Sequence, residues 1–133
     1  MTERERVGSG GVLDRVLGDL RALSGDMASC AVLSPEGALL SSSHVEGVDR
    51  ERAAAMLGAA ANLGERAARR EGREHAAQLR VDAGNGHLLL VRLEGGGALA
   101  ATTGPEARVG LVLYDMRNAR GEVEKTINGG GRS

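Results

Sequence analysis

The side chains able to do chemistry in this chain are few, and their spacing keeps them apart. Neither a second His nor a carboxylate stands at zinc-ligand spacing from His44, His75 or His87, and no thiolate accompanies them, so surface or edge histidines are expected and no metal. Cys30 is the only cysteine, which excludes an internal disulfide and a Cys cluster; its place in an apolar run predicts an inert thiol in a reducing cytoplasm. Ser41, Ser42, Ser43 and His44 supply the residue types of a nucleophile and its base, but neighbours on a strand point to alternate sides and make no triad. Gly84-Asn85-Gly86 lacks the third glycine of a phosphate loop and precedes a strand, and Gly95-Gly96-Gly97 joins strands without a Lys-Ser/Thr ending, so both are turns. Arg66, Arg69, Arg70 and Arg73 could supply an arginine to a nucleotide-hydrolysing partner, but the favoured reading of these four residues is a solvated helix end. These residues assign no catalytic, cofactor-binding or metal-ligating group, so the chain is not expected to be an enzyme and no cofactor is implied.

The elements that carry these residues follow from hydrophobic periodicity. Val12, Leu13, Val16, Leu17, Leu20 and Leu23 recur at helical spacing, giving a first amphipathic helix over Val12–Ser24 that Gly25 ends. Ser29–Ser34 is a short apolar run suited to a mid-sheet strand. Ser34-Pro35-Glu36-Gly37 turns it back into a second strand over Ala38–Ser43. Ala77, Leu79 and Val81 alternate with polar residues as in an edge strand, and two further strands follow over His87–Leu93 and Ala98–Thr103. Gly104 and Pro105 are placed to open a last helix whose apolar face is Val109, Val112, Leu113, Met116 and Val123. The order α-β-β-α-β-β-β-α predicts an α/β (α+β) fold, a single five-stranded antiparallel sheet with helices on both faces.

The second helix, Arg50–Gly72 behind an Asp49 cap, is apolar on nearly every side from Ala53 to Leu63. A helix that covers only a sheet shows one apolar stripe; this one must be buried on two sides, and Met56 suits core and interface alike. A second copy of the chain is one candidate cover.

At 133 residues the chain suits one domain over residues 12–127, between a disordered leader, 1–11, and a flexible Gly-rich tail, 128–133. Aromatics make up 1% of it, Tyr114 being the only one, so the core must be aliphatic. The 17 Lys+Arg against 18 Asp+Glu leave no electrostatic footprint for nucleic acid. The apolar run from Ala53 is too short to span a bilayer, so no membrane insertion is expected. With Lys125 the only lysine and alanine and glycine abundant, the composition points to a GC-rich bacterial genome.

In this order, the hairpin Cys30-Ala31-Val32-Leu33-Ser34-Pro35-Glu36-Gly37-Ala38-Leu39-Leu40, the Asp49 start of an Ala-rich helix and Val109-Gly110-Leu111-Val112-Leu113-Tyr114-Asp115-Met116 resemble the roadblock (dynein light chain-like) domain family. The likeness runs from about Val12 to Lys125, and its last stretch is most similar to actinobacterial members encoded beside a sensor-kinase-like protein and a Ras-like GTPase. The resemblance implies a profilin-like fold and a two-fold homodimer in which the long helices pack together and the third strands pair edge to edge. On that model Met56, Leu57, Ala60, Leu63, Ala67, Leu79, Arg80 and Val81 form the dimer or partner interface. It also implies a cytoplasmic adaptor or regulator that binds a small Ras-like GTPase, with Arg66, Arg69, Arg70 and Arg73 as GTPase contacts and a sensor-kinase-like protein as a further partner. Family members that stimulate hydrolysis do so by repositioning the GTPase's own residues. The alternative is a small-molecule sensor of the PAS or GAF sort, since those also flank five strands with helices; a core this poor in aromatics suits flat helix packing better than a lined cavity.

Overall fold

A computed structural model describes residues 3–36, 38–44 and 78–130, together with the single positions 55, 59, 62 and 66. In chain order the elements are helix α1 (Glu3–Leu23), strands β1 (Met27–Leu33), β2 (Leu39–His44), β3 (Gln78–Ala83), β4 (Gly86–Arg92) and β5 (Ala98–Thr103), and helix α2 (Val109–Gly130). The strands form one antiparallel sheet in the order β2-β1-β5-β4-β3. The β1–β5 pairing, with Cys30 opposite Ala101 and Val32 opposite Leu99, joins the first hairpin to the later meander. As expected of a central strand, β1 is buried along nearly its whole length.

Alternation along the strands gives the sheet two unlike faces. Cys30, Val32, Leu89, Val91, Leu99 and Ala101 share a core with Leu13, Leu17 and Leu20 of α1 and with Val109, Val112, Leu113, Met116 and Val123 of α2. Both helices therefore cover the same face. The residues between them, Ala31, Leu33, Leu90, Ala98 and Ala100, form a second cluster with the half-buried Leu79 and Leu88. Three alanines make that face shallow, which permits close approach of whatever covers it. The covering helix expected from the sequence lies in the Arg50–Gly72 stretch, outside the described residues except at four helical positions.

Several boundaries depart from the sequence expectation. Helix α1 begins at Glu3 rather than Val12, so Glu3–Gly11 are helical where a disordered leader was expected; the stretch opens with strong helix formers, Glu and Arg, and runs unbroken into the packed turns. Helix α2 begins at Val109 instead of Pro105, because Gly104–Glu106 close a turn through Ala107 N–H to Gly104 O (3.3 Å). It then runs to Gly130, past the expected start of the tail at Asn128, since Ile127 packs on the core and carries the helix beyond Lys125.

Two turns need glycine. Gly97 ends the β4–β5 turn at φ +78°, where a Cβ would stand 2.3 Å from the Leu33 carbonyl oxygen. At Gly86 a Cβ would lie 2.1 Å from the Thr103 carbonyl oxygen, so the β3–β4 turn also depends on a missing side chain.

Candidate functional site

Strand β3 ends the sheet. It pairs with β4 from Gln78 opposite Val91 to Ala83 opposite Gly86, and no described strand lies on its other side. Leu79 belongs to the shallow-face cluster and is half-buried, as is Val81 two residues on; Gln78, Arg80 and Asp82 alternate with them and are exposed. Arg80 Nε donates to Asp82 Oδ1 at 2.9 Å, and the same oxygen meets His87 Nδ1 at 2.7 Å. The Arg80 hydrogen bond, then the His87 one, hold the Asp82 carboxyl below the ordinary carboxylate range. His87 Nε2 lies 3.4 Å from the Pro105 carbonyl oxygen, so this histidine ties β4 to the chain ahead of α2. Arg117 of α2 donates to Gln78 Oε1 at 3.1 Å. The charges of this edge are thus matched within the chain, while no described strand completes its outer backbone ladder.

Ala55, Ala59, Asn62 and Arg66 are helical and exposed. Their 4-3-4 spacing places all four on one face of a helix, a stripe of small side chains that ends in a cation. Of the interface residues expected from the sequence, Leu79, Arg80 and Val81 are therefore located, and of the expected GTPase contacts, Arg66. Met56, Leu57, Ala60, Leu63, Ala67, Arg69, Arg70 and Arg73 lie outside the described residues.

The other chemistry-bearing residues serve the fold. The Cys30 thiol is fully buried, its S–H donates to the Leu17 carbonyl at 3.4 Å, and burial pushes its pKa up to about 12, so it stays protonated. The Ser41 hydroxyl donates to the Asp14 carboxylate, and Arg21 Nε donates to the Ser43 hydroxyl at 3.0 Å, so these serines fasten β2 to α1. Ser29 and Thr102 share a hydroxyl–hydroxyl bond of 2.5 Å between β1 and β5. Asp26, in the short link after α1, accepts from both the backbone N–H and the Nε of Arg108, each at 2.9 Å. The Arg108 side-chain bond, then its backbone bond, lower the Asp26 pKa. These pairs join positions far apart in the chain, and only their residue types were visible beforehand. Among the described residues, no three His, Cys, Asp or Glu side chains gather as a metal would need, and no helix is long and apolar enough to cross a membrane.

The model of the Roadblock/LC7 domain matches residues 14–103, from the middle of α1 to the end of β5. The chain belongs to the Roadblock/LC7 family. A Roadblock/LC7 domain from Streptomyces avermitilis is 30% identical, aligning over 85% of this chain and 96% of its own with a TM-score of 0.62. Myxococcus xanthus MglB, at 15% identity, aligns over 89% of this chain and 96% of its own with a TM-score of 0.73, a likeness of fold. Profilin II of Acanthamoeba castellanii, 14% identical over 84% of this chain and 95% of its own, has a TM-score of 0.54 and places the roadblock sheet in the profilin-like class. None of the curated proteins compared with the chain matches it. The roadblock match ends with β5, ahead of the helix that completes the deeper core.

Proposed function

We propose that this roadblock protein is a homodimeric adaptor or regulator of a small Ras-like GTPase in bacterial signalling. The observation that carries the reading is the β3 edge, whose half-buried Leu79 and Val81 flank a ladder that no described strand completes. A second copy pairing its own β3 across a two-fold axis satisfies both ladders at once. The exposed stripe Ala55, Ala59, Asn62 and Arg66 supports a helix seam beside that pairing, because small side chains let helices approach closely. Positions 56, 60, 63 and 67 repeat the same spacing one residue later, about 100° round a helix. Met56, Ala60, Leu63 and Ala67, with Leu57, then bound the other side of the seam. The solved relative described as "MglB with tetrameric arrangement" assembles from several copies, which supports self-association as a family habit.

The GTPase docks on the composite surface of the dimer, with Arg66, Arg69, Arg70 and Arg73 at its rim. The chain contributes no catalytic residue; it holds the GTPase or reshapes the GTPase's own site. A sensor-kinase-like protein is the proposed upstream partner. Sedimentation of the full chain at micromolar concentration should give a dimer, and Ala59→Arg, at an exposed position, should give a folded monomer; a monomeric wild type overturns the reading. Pull-downs with the GTPase complement of the source held in GTP and in GDP should retain a small GTPase in one state. Retention of none, with a small molecule copurifying, would favour the sensor instead.

A further inference from the structure

The side of α1 that faces α2 leaves a groove of about 260 Å³ between the two helices. Val16 and Leu20 of α1 and Ala119 of α2 form its apolar floor. Asp19, Asp115 and Glu122 stand along it with no cation among the lining residues. No hydrogen bond or ion pair engages any of the three carboxylates among the described residues. Leu23, the last residue of α1, also lines the groove and is 73% exposed, and Leu111 and Tyr114, on the turn of α2 before Asp115, are 46% and 55% exposed. Tyr114 is the only aromatic residue in the chain, and it lies on the surface instead of in the core.

We propose that this groove docks a basic amphipathic helix of a partner protein, with aliphatic side chains on Leu20 and Leu23 and arginines or lysines against Asp19, Asp115 and Glu122. Charge decides the class of partner, since unpaired carboxylates repel nucleic acid and anionic lipid and attract cationic side chains. Shape decides its form: both walls are helices with no open backbone ladder, so a helix laid in the groove fits better than an added strand. Tyrosine at the margin suits a protein contact, being large, stiff and amphipathic. The surface includes neither β3 nor residues 55–66, so it stands whether or not the chain dimerises through them.

The test uses the full chain and a fluorescein-labelled 15-residue helical peptide with leucines and arginines on one face, beside a control peptide carrying glutamate for each arginine. Fluorescence anisotropy should show the arginine peptide bound and the glutamate peptide at least tenfold weaker. Neutralising the walls by Asp19→Asn, Asp115→Asn and Glu122→Gln together should weaken binding at least tenfold, as should raising NaCl from 50 to 500 mM. Tyr114→Ala should weaken it about threefold. Thermal melts confirm that these surface variants remain folded. Equal binding of the two peptides, or undiminished binding by the neutralised variant, overturns the proposal. A loss of self-association in the neutralised variant also overturns it, by assigning the groove to a second copy.

Discussion

At the β2 edge, Ser41 is buried with its hydroxyl on Asp14, and Ser43 is held by Arg21, so two side chains of α1 fasten the strand, although no described strand lies on its outer side. At the β3 edge the polar partners lie along the strand and its neighbour, as Arg80 to Asp82 and Asp82 to His87, and α2 reaches it through Arg117 on Gln78. Leu79 and Val81 stay half-buried beside a ladder that no described strand completes. The difference lies in where the finishing groups come from. One edge strand is fastened through its hydroxyls to the chain's own helix, and the other has its charges matched mainly within its own hairpin. The proposed assembly at β3 leaves the fastening of β2 to α1 undisturbed.

The contrast can be broken most forcefully from beneath. Leu17 of α1, fully buried, should cost about 2–5 kcal/mol as Leu17→Ala in urea unfolding, because its side chain fills the core beneath the sheet. A loss under about 1 kcal/mol would mean that α1 does not support the sheet. Removing the fastening alone, Ser41→Ala should lower stability by about 1–2 kcal/mol and leave the sedimentation coefficient unchanged. Val81→Lys should do the reverse, weakening the proposed dimer about tenfold while the isolated chain stays folded, since like charges would meet across the axis. If Ser41→Ala dissociated the dimer and Val81→Lys did not, the roles of the two edges would be exchanged. The smallest effect belongs to Asp26. Its folded pKa lies below the unfolded value of 3.8, so the stability it adds is present above that pH and is lost as pH falls through the folded value. Asp26→Asn should therefore flatten the acid limb of a stability-versus-pH curve, and a superimposable limb would show that the Arg108 contact contributes nothing.

Periodicity made most of this fold legible. The apolar residues of β1, β4 and β5 and the alternation of β3 marked strands to within a residue or two, and their burial separated the central β1 from the edge β3. Helix ends were less legible, because they depend on tertiary partners. Ile127 extends α2 through a core contact, and Arg108 is held by Asp26 from 82 positions away. Gly104-Pro105 satisfied the local rule for a helix start, but there the chain makes a turn first. For the candidate site, Leu79, Arg80 and Val81 could be named from alternation and a family likeness. The fastening of the opposite edge could not, since Asp14, Arg21, Ser41 and Ser43 are ordinary surface residue types until the fold brings them together. Composition showed that Tyr114 was alone, and only the structure showed it standing in solvent.

The placement of α2 also sets a timetable for synthesis. Val109, Val112, Leu113, Met116 and Val123 enter the same core as the leucines of α1, so α1 waits on the later-made α2 for its cover. A nascent chain that has not yet delivered Val123 leaves Leu13, Leu17 and Leu20 on a half-roofed sheet, which is the kind of exposed apolar surface that chaperones hold. The roadblock sheet can pair strand by strand as it emerges, but its deeper core closes only when the final helix arrives.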